Sequence, residues 1–401
     1  MKIINFVKKA MFCTSIVFIT TANAAADKVP EPFRGDTPGS TYEISYNDLD
    51  ALLHSSVLAT GRSNRSKAKT SKPPTGTRLK VNINKLTATE ANRFIFESYK
   101  EEEHKVLFTK IRQSLEKVPS EVELKHFSKE EQLAYWLNLY NVTILEQIVK
   151  IYPARKLEDF LISDESVLDE KLLNVAGVEL SLNDIQHKIL KEKFDADPLI
   201  IYGLYQGVIG GPNIRKSAYT GKNVYKSLTS NADEFVNSNR GTYSVDKKTF
   251  RVSSLYERNE EYFPDFKTDL KKHLLTHLSG SMRYKLEDSR RIKANINNWR
   301  VADLYGTTRS FGGGISNSSA ALIGAYTPTA GKSDGTTPLG AINPGLITSF
   351  VQSKNVSFGR FSQEQAIKLK ALNQKRMDNL EGTGTVTLTE MDDQTEEQKK
   401  N

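Results

Sequence analysis

SKEEQLAYWLNLYNVTILEQIVKIYP, residues 128–153, is the stretch whose reading decides the fold. Ser128 followed three residues later by Glu131 has the form of a helix-opening capping box. Leu133, Leu137, Tyr140, Ile144, Ile148 and Ile151 then recur at helical spacing, and Pro153 closes the segment. Inside this predicted helix, Asn138 and Asn141 stand three residues apart among Trp136, Leu137, Leu139 and Tyr140. Asparagine is a mediocre helix former, and a buried amide needs several hydrogen-bond partners. Two roles fit. The amides tie the helix to a neighbouring loop, or Asn141 lines a pocket and orients a reacting side chain.

Working towards the C-terminus, LLNVAGVELSL (172–182) alternates apolar residues about Ala176-Gly177, which predicts a hairpin. A helix follows in SLNDIQHKIL, with Ser181 and Asp184 placed to cap it. Leu182, Ile185 and Ile189 mark its apolar face, and His187 falls off that face near Asp184. A carboxylate there would orient the imidazole and raise its pKa. The plainer alternative leaves Asp184 as a cap and His187 as a boundary residue. His273 and His277 have a metal-compatible i,i+4 spacing but no convincing third ligand nearby, so no metal site is expected.

YGLYQGVIGGPNIR (202–215) packs glycine and proline into an apolar run. Such a stretch lets backbone approach something closely, or turns sharply for packing. It has neither a dinucleotide fingerprint, nor a phosphate-loop ending, nor a nucleophile elbow. No nucleotide or other cofactor is expected.

Elsewhere YNDLDALLHSSVL (46–58), ANRFIFESYK (91–100), LFTKIRQSLEKV (107–118), VYKSLTSNADEFVNS (224–238) and KTDLKKHLLTHLSG (267–280) read as helices, the last ended by Gly280. GTYSVDKKTFRVSS (241–254) reads as two short strands. The fold class expected is α+β, a helix-rich single main domain with a small antiparallel sheet. That domain spans 86–305. Residues 27–85 form an N-terminal extension: an exposed lead-in, a short helix and a basic linker. Residues 306–401 form a low-complexity extension with one helix and a charged tail.

Residues 1–26 read as a signal peptide: Lys2, Lys8 and Lys9, then the apolar run AMFCTSIVFITTA, then Ala22-Asn23-Ala24 as a cleavage site. The apolar run is too short to span a bilayer, and no later segment is long enough. A periplasmic or secreted protein is expected. Cys13, the only cysteine, would be lost on cleavage, which excludes thiol nucleophiles, thiolate metal sites and redox dithiols. Cleavage also leaves 53 basic residues against 48 acidic, a balance of +5 that favours contact with anionic surfaces without marking a nucleic-acid binder. Ser55–Thr89 contains no acid, and its basic residues between 62 and 85 form an arm suited to a solvated connector or to an anionic polymer.

LAYWLNLYNVTIL (133–145), VAGVELSLNDIQHKIL (175–190), YGLYQGVIGGPNIR and AYTGKNVYKSL (218–228) together resemble the family called domain of unknown function 547, over roughly 120–265. Many relatives carry two cysteines where this chain has Gln206 and Gly211. The resemblance therefore implies a cysteine-free variant that keeps Asn141 and His187 without a thiol mechanism. It implies a pocket whose candidate catalytic residues are His187, Asp184 and Asn141. Its candidate ligand-binding residues are Trp136, Asn138, Tyr140, Tyr205, Gln206, Gly207, Gly210, Gly211 and Arg215.

Three functions stay open. One is a non-catalytic module binding a small molecule, glycan or envelope protein. Another is a hydrolase or transferase with His187 as general base and backbone amides of 207–211 as an oxyanion hole. The third is an envelope scaffold that holds an anionic polymer through residues 62–85.

Overall fold

Every residue from Glu131 to Val149 is buried in α3 (Lys129–Ile151), the helix of the opening stretch. A helix buried all round lies in the middle of a core rather than on its surface. The sequence periodicity marked a single apolar face, and its last member, Ile151, is in fact exposed. The computed structural model describes residues 29–66, 87, 90–245 and 248–304. The expected signal peptide, most of the basic linker and the 306–401 extension lie outside the described residues.

The elements that surround α3 come from both sides of it in sequence. α1 (Asn47–Ser56) leads into β1 (Val57–Leu58), which pairs antiparallel with β2 (Arg93–Phe94). The helix expected over 91–100 is absent: Ala91 has φ +69°, β2 follows, and only a 3-10 turn forms at Phe96–Tyr99. Phe94 instead bridges to Asp303 on its other side, so sheet-like pairing overrides the local pattern. α2 (Glu102–Glu121) packs on α3, and Arg112 Nε donates to Glu146 at 2.5 Å across that interface.

Ser128 caps α3 as expected, accepting from the Glu131 amide at 3.2 Å. The Glu131 carboxylate does not complete the box. It accepts from the amides of Ile44 and Gly221 and from the Tyr46 hydroxyl, pinning two distant segments to the helix start. The expected exposed lead-in is partly core as well. Phe33 is fully buried, its ring 4.9 Å from Trp136 in an edge-to-face contact.

After α4 (Glu158–Ile162), β3 (Leu173–Val175) and β4 (Val178–Leu180) form the predicted hairpin. Ala176 and Gly177 both have positive φ, as a two-residue type I′ turn requires. Ser181 and Asp184 cap the next helix reciprocally: Ser181 N donates to the Asp184 carboxylate, and Asp184 N to Ser181 Oγ. That helix is π-helical over Asp184–Leu190 and continues as α5 (Lys191–Lys193).

α6 (Val224–Val236) precedes a three-stranded sheet of β5 (Thr242–Tyr243), β6 (Thr249–Ser253) and β7 (Arg291–Ile296). Between β6 and β7 run α7 (Ser254–Arg258), α8 (Phe266–His277) and α9 (Gly280–Glu287). Gly280 does not end α8, which stops at His277; with φ +60° it opens α9. β7, not anticipated, joins β6 in parallel. The α+β, helix-rich class holds, with small sheets that are otherwise antiparallel.

The last described segment, 298–304, threads between two loops and β2. Its backbone bonds to Leu157, to Gly207, Ile209 and Gly210, and to Phe94. That seam holds the glycine-rich stretch in place.

Candidate functional site

The two helix amides act as clamps. Asn138 Nδ2 donates to Tyr219 O at 2.8 Å while its Oδ1 accepts from Tyr219 N at 2.9 Å. Asn141 does the same one turn later, donating to Gly203 O and accepting from Tyr205 N, both at 2.9 Å. Each amide thus satisfies a loop's buried donor and acceptor together. Neither touches His187.

The glycine-rich stretch is shaped by packing. A Cβ on Gly210 would sit 2.6 Å from the Asn298 amide nitrogen, and one on Gly207 (φ +73°) would sit 2.2 Å from Ile148 Cδ1. The amides of Ile209, Gly210 and Gly211 already donate to Arg300 O, Asn298 O and Val208 O. The oxyanion hole expected from residues 207–211 therefore lacks these three donors. Beyond Gly211, a buried ion pair holds the loop: Arg240, fully buried, grips Glu234 with both terminal nitrogens and donates Nε to Gly211 O at 3.1 Å.

His187 is a third exposed and its Nδ1 pairs with Glu261, not with Asp184. Glu261 also accepts from Lys191 Nζ at 2.6 Å. Burial acts to raise the Glu261 carboxyl, but Lys191 and His187 hold it below its usual range. Asp184 is taken elsewhere. Burial opposes its ionisation, yet bonds from Lys171, Lys188 and Ser181 keep it far below the ordinary carboxylate range. Its work is capping and charge pairing.

The side chain of Gln206 is buried and turned to Arg258, whose Nη2 donates to Gln206 Oε1 at 2.9 Å. Arg258 Nη1 donates to Ser254 Oγ, and the guanidinium lies 4.7 Å from the Trp299 ring centre. No carboxylate forms an ion pair with Arg258 among the described residues. Burial lowers its pKa to about 10, with Tyr140 acting to raise it, so it stays cationic at neutral pH. Tyr140 is buried with its hydroxyl unbonded among the described residues. Burial raises that phenol well above its usual value, and the Arg258 charge opposes the rise. A half-buried cation without an ion-pair partner and a buried hydroxyl without a hydrogen bond, both among the described residues, are the kind of unmet demand that a bound anion satisfies.

One short segment, 258–262, joins these features. Arg258 bonds Gln206, Asn259 accepts from Gln186, Glu261 pairs with His187, and the Tyr262 hydroxyl donates to Gln186 O. His187 and Gln206 thus meet the same five residues without bonding each other. Arg258, Glu261 and Trp299 were missed in the sequence. The run ERNEEY (257–262) is dense in charge, but nothing local says which charges turn inward.

The remaining candidates fall outside this cluster or deep in the core. Trp136 is fully buried against Phe33 and Tyr135. Tyr205 is buried with its hydroxyl unbonded among the described residues, its phenol raised by burial. Arg215 leans on Tyr219 and reaches Ser227 O and Asn231 at 3.4–3.5 Å. His273 bonds the Tyr202 hydroxyl at 2.8 Å, and His277 bonds Asp233 at 2.7 Å. Among the described residues no group of three or more His, Cys, Asp or Glu side chains could hold a metal ion.

Residues 124–236 match a family model described as protein of unknown function, DUF547, the family that the motifs resemble. The match runs from just before α3 to the end of α6 and takes in Asn138, Asn141, Asp184, His187 and Gln206. It stops short of Arg258, Glu261 and Trp299. No curated protein and no solved structure matches the chain. No described helix is long and apolar enough to cross a membrane.

Proposed function

We propose that this protein is a non-catalytic binding module, exported to the periplasm or beyond, that takes an anionic group of a small molecule or glycan beside Gln206. The observation that carries the reading is the Arg258 guanidinium. It is half-buried, stacked on Trp299, bonded to Gln206 and without an ion-pair partner among the described residues. Gln206 stands where the family resemblance implies a cysteine, so the position that would carry a nucleophile carries a hydrogen-bonding amide instead. Export rests on the basic, apolar and small-residue pattern of residues 1–24.

Titration with glucuronate and with inorganic phosphate tests the binding site, read through the fluorescence of Trp299. Trp136, the only other tryptophan, lies in the closed core. A saturable change is expected with at least one of the two anions, weakened tenfold or more by Arg258→Gln. A null response to both, or an equal response in the variant, overturns the reading.

The His187–Glu261 pair favours a second reading, in which His187 is a general base. A carboxylate on Nδ1 orients an imidazole and leaves Nε2 to accept a proton. Turnover of p-nitrophenyl esters by the purified protein, abolished by His187→Ala and lowered by Glu261→Gln, would replace the first reading with this one.

A further inference from the structure

α8 and the start of β7 form a groove of about 650 Å³ that shares no lining residue with the Arg258 cluster and lies outside the family-matched segment. Its walls carry six cations: Lys267, Lys271 and Lys272 on the helix, and Arg290, Arg291 and Lys293 on the strand side. Leu275 and Ile292 also line it. Lys271 donates to the backbone oxygen of Glu287, while the other five make no ion pair among the described residues.

Several nearby acids are otherwise engaged. Asp265 caps α8, Asp269 accepts from the Asp265 amide, and Glu287 pairs with Arg283. Among the described residues none of these three acids forms an ion pair with a groove cation.

Their spacing is regular on both walls. Lys267 and Lys271 are one helical turn apart, about 6 Å along the axis. Arg291 and Lys293 share one face of β7, roughly 6.6 Å apart, while Ile292 and Ala294 turn to the half-buried face. Cations at this repeat along the groove suit a linear polyanion. The lining contains no aromatic ring, so it lacks the stacking platforms by which single-stranded nucleic acid is held. It is also concave, unlike a surface that lies flat on a lipid headgroup layer. Hydroxyls of Thr268 and Ser289 add neutral hydrogen-bonding groups. The volume lies within the ~300–1,000 Å³ of ordinary ligand sites, enough for a short run of sugar units.

We infer that this groove binds an acidic polysaccharide, one whose chain carries repeated carboxylates. It is a second site that shares no lining residue with the anion site at Arg258.

Calorimetric titration of the full chain with an oligogalacturonate tests it, with polyglutamate, an oligothymidylate and phosphatidylglycerol vesicles as parallel probes. Tight binding of the oligogalacturonate is expected, weakening as salt rises. The double variant Arg291→Gln/Lys293→Gln should weaken it tenfold or more with an unchanged melting temperature, because both side chains are exposed. Lys267→Gln is a second variant on the opposite wall and should act in the same direction. Arg258→Gln should leave this binding unchanged, which separates failure here from failure of the anion site. Equal affinity in the groove variants overturns the inference. So does preference for the peptide, the oligonucleotide or the vesicles over the uronate.

Discussion

Asn141 Oδ1 accepts the Tyr205 amide at 2.9 Å, so the central helix fixes the residue immediately before Gln206. The same side chain takes Gly203 O through Nδ2. Replacing Asn141 by Ala strips a buried donor and a buried acceptor of their partners at once, at about 1–3 kcal/mol each. Urea unfolding should register a loss of about 2–6 kcal/mol. Asn141→Asp should retain part of the stability, because an oxygen can still accept from Tyr205. A fully stable alanine variant would mean that the clamp is not needed.

Gly210 and Gly211 separate two kinds of glycine. At Gly210 a methyl group would press on the Asn298 backbone, at 2.6 and 2.9 Å from its nitrogen and oxygen, and backbone cannot swing aside. At Gly211 the nearest atom is a Val208 methyl at 3.3 Å, which needs to give only a few tenths of an ångström. Gly210→Ala should cost about 1–3 kcal/mol. Gly211→Ala should cost less, and thermal melts of the two variants give the order directly.

Phe33 tests how far the N-terminal segment belongs to the core. Its ring meets Trp136 edge-on, and Lys193 donates to the Phe33 and Gly35 carbonyls. Phe33→Ala should destabilise by about 3–5 kcal/mol. It should also red-shift the Trp136 emission as water reaches the ring. A loss below about 1 kcal/mol would return this segment to the surface, as the sequence suggested.

The pH profile should carry the mark of His273. Burial, helped by the charge of His277, lowers its pKa to about 3, against about 6.5 in an unfolded chain. Between those values the unfolded state binds the extra proton. Stability from this residue is therefore complete above pH 6.5 and declines as the pH falls towards 3, by up to about 1.4 kcal/mol per pH unit. Asp184, held low by its lysines, adds a further loss only below about pH 4, where it protonates in the unfolded chain. Denaturant midpoints for His273→Phe, compared with the unaltered chain, should show a shallower slope between pH 6.5 and 4. An unchanged slope would assign the acid lability elsewhere.

How much of the site could be read beforehand depends on the range of each interaction. Asn138 and Asn141 were legible as buried amides because two asparagines in an apolar helix demand partners, though only the fold identifies those partners as Tyr219, Gly203 and Tyr205. His187 was picked out with two roles open for Asp184, and the structure shows the cap, with Glu261 on the imidazole. Asp184, three residues away, is drawn off by Lys171 and Lys188, and Glu261 arrives from 74 residues downstream. Arg258 had no local signature at all. Its meaning comes from Gln206, 52 residues upstream, and from Trp299 on the seam.

The sequence by itself determined the central helix with its Ser128 cap, the Ala176-Gly177 hairpin and the reciprocal Ser181–Asp184 cap. It also determined the absence of any cysteine after Cys13. Each is written in residues a few positions apart, where periodicity, capping and turn chemistry act on the backbone directly. The tertiary structure decided that Phe94 joins a strand rather than a helix and that the glycines serve the seam at 298–302. It also decided that Arg258 stands beside Gln206 and that six cations line one groove. Those outcomes depend on burial and charge shared among segments far apart in the chain, and they come into being only when the core closes around α3.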